Sequence, residues 1–398
     1  MRRITLLLLV GAGCALAGCG GSTQLITVPE QGIASSARNA GQKIGFPALA
    51  TKNTTRVSGG DPTVDAAGVA LAVYPSNGQG THPQVVTLAP EDDWQAAIAS
   101  AVLMSPPTKA PVLLSGSGSL PSATTDALRA LAPTGSGGVG GAQVIRVGDV
   151  PKLRGLHTAS ISGRDPYALA AAIDRFDTAA TGKASADVVI ASGENAGFAM
   201  PAAGWAAESG DPVLFVTASG IPGPTREALL AHQHPHIYVL GPSSVIPGSV
   251  MKDLRKYGLV KRVSGADPAA NSVAFATYRD PPCKFGQPCA HVPGSFGWAL
   301  RSPGHGYTLV NSNRPLDAAA SAPLSASGSF GPQLVLDSGD SMPKPILDYF
   351  LNYATPGFTQ EGPTAAVYNH GWVIGDPSAV SVTVQAEMDT LLEAVPQK

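Results

Sequence analysis

The pentapeptide Ser-Gly-x-Asp-Pro occurs three times, as Ser58-Gly59-Gly60-Asp61-Pro62, Ser162-Gly163-Arg164-Asp165-Pro166 and Ser264-Gly265-Ala266-Asp267-Pro268. The spacings are 104 and 102 residues, and two copies are preceded by Arg-Val (Arg56-Val57 and Arg262-Val263). Self-similarity at a long fixed period indicates several copies of one domain-sized unit and argues against a single large enzyme fold.

The layout after each motif repeats as well. An alanine-rich, helix-prone segment comes first (63–73, 167–176, 269–278), then a short β-rich run (84–88, 187–191, 306–310). A small-residue helix follows (94–103, 198–208, 315–326), and then a proline-led apolar run. That run is Pro111-Val112-Leu113-Leu114 in the first copy and Pro212-Val213-Leu214-Phe215 in the second. The third copy has the looser Pro332-Gln333-Leu334-Val335-Leu336. Another helix (121–131, 222–231, 343–353) and a last strand (144–147, 236–240, 366–368) close each unit, and the second copy adds a helix at 247–257. Runs such as Val188-Val189-Ile190 are apolar at every position, as strands covered on both faces are. Strands alternating with helices of this length predict βαβ units and parallel sheets. The expected fold class is α/β, as three tandem Rossmann-like repeats with parallel sheets.

Hydrophobic residues make up 44% of the 398, enough for several cores. A charged fraction of 14% and a net charge of −2 leave no electrostatic footprint for nucleic acid. At the N-terminus Arg2-Arg3 precedes an apolar stretch, residues 4–12, too short to span a bilayer. Leu16-Ala17-Gly18-Cys19 then matches the lipobox of bacterial lipoproteins. The expectation is a signal peptide over 1–18 and a diacylglycerol on Cys19, with acyl chains such as palmitate. That places the chain at the extracytoplasmic face of the bacterial cell membrane. Residues 19–55 read as a tether. The repeats are expected at 56–156, 157–261 and 262–398, the last with an insert at 279–305.

The second copy carries a resemblance. Ile190-Ala191-Ser192-Gly193-Glu194-Asn195, Phe198-Ala199, Pro212-Val213-Leu214-Phe215, Ile237-Tyr238-Val239-Leu240-Gly241 and Arg262-Val263-Ser264-Gly265-Ala266-Asp267 follow in that order. The order resembles the cell wall-binding repeat 2 family of bacterial surface proteins, and the resemblance covers roughly residues 56–398. It implies three Rossmann-like repeats about a pseudo-threefold axis and non-covalent attachment to anionic cell-wall polymers. By the family's proline-led motif, the binding role falls on Pro111, Val112, Leu113, Leu114, Pro212, Val213, Leu214 and Phe215. An apolar strand cannot itself neutralise a phosphate, so the following loops, starting at Ser115 and Thr217, are the better contact points. The chain departs from the family where proline (Pro62, Pro166, Pro268) follows the motif's Asp in place of an arginine, and where Gln333 enters the third apolar run.

Other residues qualify as candidates. Lys252, Arg255 and Lys256 share a helical face, a basic surface that an anionic partner would use; a solvated face is the plainer alternative. The insert holds Cys283 and Cys289, which outside the cytoplasm are expected to pair as a disulfide. The competing zinc site with His291 or His305 lacks a familiar spacing. The insert itself reads as a surface loop suited to partner recognition. Gly135-x-Gly137-x-x-Gly140 precedes a strand, so it is a linker and not a dinucleotide fingerprint. No cofactor or metal is called for. The resulting reading is a non-catalytic, lipid-anchored envelope protein binding or scaffolding cell-wall polymers. A solute-binding lipoprotein and a hydrolase using Ser341 with His370 or His305 are the alternatives.

Overall fold

The structure, a computed structural model, describes residues 48–78, 80–281, 295–298, 306–327, 331–354, 357–359, 362–363, 370–393 and 395–396. The described chain starts with the antiparallel strands β1 (Ala48–Ala50) and β2 (Thr54–Val57) and helix α1 (Pro62–Val73). Next come β3 (Val86–Pro90), α2 (Trp94–Ser100, extended by a 3-10 turn Ala101–Met104), β4 (Val112–Ser115), α3 (Ser122–Leu131), β5 (Val144–Val147) and β6 (Thr158–Ile161). The middle section is α4 (Pro166–Thr181), β7 (Asp187–Ser192), α5 (Ala196–Ala199), α6 (Pro201–Ser209), β8 (Val213–Val216), α7 (Gly223–Ala231), β9 (His236–Leu240), α8 (Gly248–Leu254) and β10 (Leu259–Val263). The last is α9 (Pro268–Ala276), β11 (Tyr307–Asn311), α10 (Leu316–Ala326), β12 (Gln333–Leu336), α11 (Lys344–Asn352), the short β13 (Gly357–Thr359) and β14 (Gly362–Pro363), β15 (Gly371–Ile374), α12 (Val382–Leu391) and β16 (Val395–Pro396).

Among the described residues three of the four sheets hold four parallel strands each, in one repeated order: β4-β3-β5-β6, β8-β7-β9-β10 and β12-β11-β15-β2; the fourth is the small β14-β13-β16. This is the α/β architecture of tandem Rossmann-like units. The strand before each Ser-Gly-x-Asp-Pro pairs back onto the preceding repeat's sheet. For the first motif that preceding sheet is the third repeat's, because β2 pairs with β15 (Gly371↔Thr54 to Ile374↔Val57). The structural units are therefore offset from the sequence boundaries: β6 belongs to the first sheet, whereas the sequence pattern puts the start of repeat 2 at residue 157. Residues 48–50 and 54–55, read as tether, are strand. The last strand of the third repeat is β15; residues 366–368, where it was expected, lie outside the described residues.

The motif's chemistry is local. Asp61, Asp165 and Asp267 cap α1, α4 and α9: each side chain accepts a first-turn N–H, from Thr63 and Val64 (2.9 and 3.3 Å), Ala168 (2.8 Å) and Ala270 (2.6 Å). Pro62, Pro166 and Pro268 stand at the first helical position, where no N–H is needed. This accounts for the departure from arginine. The glycine lets the strand end pass against the helix it feeds. A Cβ on Gly163 would lie 2.5 Å from the Leu169 nitrogen, and one on Gly265 2.1 Å from the Ala270 carbonyl carbon.

The helices carry the contacts between repeats. α2 packs on α4, α5 on α9, and α10 on α1, so the last repeat returns to the first; α6 also packs against α10 and the 3-10 turn. Alanine and glycine make these approaches possible. Gln333, the polar intruder in the third apolar run, is fully buried here. Its Oε1 accepts from Gly204 N (2.9 Å), and its Nε2 donates to Ala318 O (2.7 Å) and Ser321 Oγ (2.9 Å), joining α6 to α10.

Arginines pin the loop after the third strand of each sheet. Arg56 is fully buried and donates to Gly375 O (2.7 Å), Ser381 O (3.3 Å) and Gln385 Oε1 (2.7 Å). Arg262, at the same register of β10, donates to Gly241 O and Ile246 O. In the first repeat that register holds Ser160, and the guanidinium comes from Arg146 on the neighbouring strand, which donates to Val150 O and Pro151 O. The Arg-Val preceding two motifs is thus structural.

The described part of the insert is also structural. Phe296 and Trp298 are fully buried. Phe296 stacks on Tyr238 (centroids 3.5 Å apart) and meets Trp205 at 4.7 Å, Phe275 at 5.9 Å and Tyr278 at 6.1 Å; Trp298 meets Trp205 at 5.3 Å. This corrects the expectation of a surface recognition loop for residues 295–298: two aromatic anchors draw that stretch between the second and third repeats.

Candidate functional site

The residues singled out by the proline-led motif are inaccessible. Pro111, Val112, Leu113, Leu114, Ser115, Pro212, Val213, Leu214 and Phe215 are all buried, and Thr217 is half-buried. Helices cover both faces of β4 and β8, so these residues hold the core and cannot touch a polymer directly. What they position is the loop after each strand. Thr217 closes its loop by exchanging hydrogen bonds with Gly220 (3.0 and 3.3 Å), and Ala218 N donates to Glu194 Oε2 (2.7 Å).

The basic surface is smaller than the sequence implies. Lys252, Arg255 and Lys256 are exposed on and just after α8, but Lys256 pairs with Asp253 (2.6 Å). Lys261 pairs with Asp280 (2.5 Å), and Arg262 faces inward. Exposed pairs of this kind contribute little to stability, and they reduce the field available to an anion.

A cleft of about 270 Å³ opens where the carboxyl ends of β3 and β11 meet the start of α1, lined by Glu91, Asp92, Trp94, Pro62, Asn313 and Arg314, among others. Carboxyl ends of parallel strands are where open α/β sheets take ligands. Trp94 begins α2 and is held edge-on by Phe215 (5.8 Å), which leaves part of its ring exposed. Asp93 caps that helix, accepting from Ala96 N (2.9 Å), while Glu91 and Asp92 point to solvent.

Beneath the cleft, Arg314 serves two fully buried carboxylates at once. It donates to Asp317 Oδ2 and to Asp65 Oδ2, both at 2.6 Å. Asp65 also accepts from Gly59 N (2.7 Å), which ties this network to the first motif. Burial, and then the facing Asp317, push the Asp65 carboxyl up; burial pushes Asp317 up against the pull of Arg314. The network joins the third repeat to the first through one guanidinium. The sequence held a signal for it: Arg314 stands where the other copies place the helix-start residues Asp93 and Asn195.

Chemically, the cleft offers an aromatic face, exposed carboxylates and one committed arginine. That set suits a sugar ring stacked on Trp94 with its hydroxyls donating to Glu91 and Asp92. It repels a phosphate. No group of three His, Cys, Asp or Glu side chains arranged to hold a metal occurs among the described residues.

The topology separates the proposed hydrolase residues. Ser341 lies beyond the carboxyl end of β12, whereas His370 sits at the amino end of β15, where its carbonyl accepts from Tyr307 N. A four-residue strand is about 13 Å long, so the two side chains cannot meet. Cys19, Cys283, Cys289, His291 and His305 lie outside the described residues. The run His232, His234, His236 does not converge on a metal either. His232 is buried with Nε2 3.0 Å from both Asp174 carboxylate oxygens and Nδ1 2.8 Å from Ser185 O, and His236 pairs with Asp187 (3.0 Å). No sequence pattern marks the His232–Asp174 pair.

Among protein families, residues 160–251 match the one described as Cell wall binding domain 2 (CWB2). The second repeat is thus similar to a cell wall binding domain. Among solved structures, Cwp6 from Clostridium difficile superposes with a TM-score of 0.65 at 16% identity, covering 87% of this chain and 51% of that one. Cwp8 from Clostridium difficile gives 0.62 at 18% identity, covering 86% and 52%. The chain therefore spans about half the length of either, and the likeness is one of fold. No curated protein sequence matches the chain. No helix among the described residues is long and apolar enough to cross a membrane.

Proposed function

We propose that this is a non-catalytic cell-envelope protein whose repeats bind a cell-wall polymer, held at the membrane by a lipid on Cys19. The match of residues 160–251 to a cell wall binding domain is the observation that carries the reading. The ring of helix contacts and the β2–β15 closure support a pseudo-threefold arrangement of the repeats. The polymer contact falls on the Trp94 cleft. Its acidic rim favours uncharged or amino sugars of the polymer over phosphate groups. The basic residues Lys252 and Arg255 are the remaining surface for anionic groups. Three equivalent four-stranded parallel sheets argue against the two-lobed clamp that a solute-binding protein requires.

The test is retention of the chain from residue 20 onward on purified cell-wall material, before and after chemical removal of its anionic polymer. Retention that falls after removal supports polymer binding, and loss of retention in Trp94→Ala places it at the cleft. Equal retention before and after removal would refute binding to the anionic polymer. Loss in Lys252→Glu/Arg255→Glu with Trp94→Ala unaffected would move the contact to α8. The lipid on Cys19 is checked by mass spectrometry of the membrane-extracted protein. A peptide beginning at Cys19 without added acyl mass would end that part of the proposal.

A further inference from the structure

The three repeats differ in one respect that leaves a surface open. In the second repeat the link from β9 to β10 contains α8, which buries Val250, Met251 and Leu254. In the third, α12 follows β15, packs on α11, β15 and β2, and buries Val384, Gln385 and Met388. In the third repeat this fourth helix lies beside the third helix and over the last two strands of the sheet. In the first repeat residues 148–157 make the connection from β5 to β6 without any helix. Ser160 is consequently exposed, where its counterpart Arg56 is fully buried.

A groove of about 540 Å³ lies where the helix is missing, between α3 and residues 153–156, with Leu120, Leu128, Leu153 and Leu156 among its walls. Two arginines line it, Arg129 and Arg154. Arg154 is exposed, and Arg129 makes only a solvent-exposed pair with Asp126 (2.8 Å). The polar side of this helix differs between repeats: α8 and the residues just after it present Lys252, Arg255 and Lys256, whereas α12 presents carboxylates to the turn before β2. In the third repeat that turn presents Lys52 to Glu393 just past α12, and Asp389 of α12 accepts from Asn53 N (2.7 Å). In the first repeat the stretch before β6 presents Arg154 in the corresponding region.

We propose that this groove receives an amphipathic helix from a partner protein, acidic on its polar side, which supplies in trans the element that α8 and α12 supply in cis. Apolar anchors one turn apart would fill the leucine-lined floor, and carboxylates would meet Arg129 and Arg154.

The experiment uses the full chain and a fluorescent, helix-constrained peptide with the sequence of residues 381–393, which carries Glu387, Asp389 and Glu393. A second peptide has those three acidic residues replaced by lysine. Anisotropy titrations are expected to show saturable binding of the acidic peptide, with the lysine peptide at least about tenfold weaker. The variant Arg129→Glu/Arg154→Glu, altered only at exposed positions, is expected to invert that preference. An inversion is possible only if the variant is folded. Absence of saturable binding of either peptide, or a preference unchanged in the variant, would overturn the proposal. Displacement of the acidic peptide by oleate micelles at equal strength in both proteins would also overturn it, and would mark the groove as a lipid site.

Discussion

Replacing Phe296 by alanine removes the ring around which four other aromatics pack: Tyr238 stacked at 3.5 Å, Trp205 at 4.7 Å, Phe275 at 5.9 Å and Tyr278 at 6.1 Å. The site is fully buried and bounded by rings that cannot collapse into the space. A buried Phe→Ala change costs about 4 kcal/mol through lost transfer free energy and the cavity left behind. The lost stacking with Tyr238 adds roughly 1 kcal/mol. A chain of this size has a large unfolding entropy, so the loss corresponds to a fall in Tm of roughly 6 °C if the repeats melt together. Two of the four tryptophans, Trp205 and Trp298, sit in this cluster. Near-ultraviolet circular dichroism should therefore lose much of its tryptophan fine structure in the variant, while the far-ultraviolet spectrum stays. Leu230→Ala, at a position 64% exposed, serves as the neutral control. If Phe296→Ala melts within about 1 °C of the parent with an unchanged near-ultraviolet spectrum, the insert does not plug the second and third repeats together, and the cavity reasoning fails.

Stability should fall as pH rises through neutrality, because two groups of α4 and α7 bind protons more tightly in the folded state. Burial, helped by Asp174, pushes Asp177 up to about 7, so Asp177→Asn should raise Tm at pH 8 and leave it unchanged near pH 4; equal effects at both pH values would contradict this. The His232 pKa is raised by its bond to Asp174 against burial, so the pair stabilises fully below the unfolded value of about 6.5 and loses its effect as pH climbs through the folded one. The destabilisation by His232→Leu, about 3 kcal/mol at pH 5.5 in urea titration, should accordingly shrink by pH 9. Gly265→Ala forces a Cβ to 2.1 Å from the α9 backbone and should cost about 3 kcal/mol in the same titration, whereas Gly248→Ala, with nothing within 4 Å, should cost almost nothing. Starting the chain at residue 58 removes β1 and β2, and hydrogen exchange of residues 371–374 should then accelerate by at least about tenfold; unchanged protection would refute closure of the third sheet by β2.

The repeat was legible because its cause is local. Asp and Pro act within the first turn of the helix they open, and the glycine answers a contact with that same turn, so the motif survives as a short string. Fully apolar strands announced two-sided burial in the same way. What the one-dimensional pattern could not carry was pairing across long separations. β2 finds β15 more than 300 residues later, and Arg314 finds Asp65 across 249. Trp94 reads in the sequence as one more helix start, and nothing there marks His232, because the partners that define them, Phe215 and Asp174, come from other elements. Cys283 and Cys289 are the conspicuous residues of the insert in the sequence, while Phe296 and Trp298 anchor its described stretch, residues 295–298.

Sequence alone therefore determined the kind of unit, its number of copies and the caps that start its first helices, since those depend on interactions within a few residues. Tertiary structure alone decided which surfaces remain open. It buried the proline-led strands, gathered Trp94 with Glu91 and Arg314 at one cleft, and left the first repeat without the helix that covers the other two. Exposure is a property of what packs against a residue, and packing partners here are set by sheet order and helix crossing, not by neighbours in the chain.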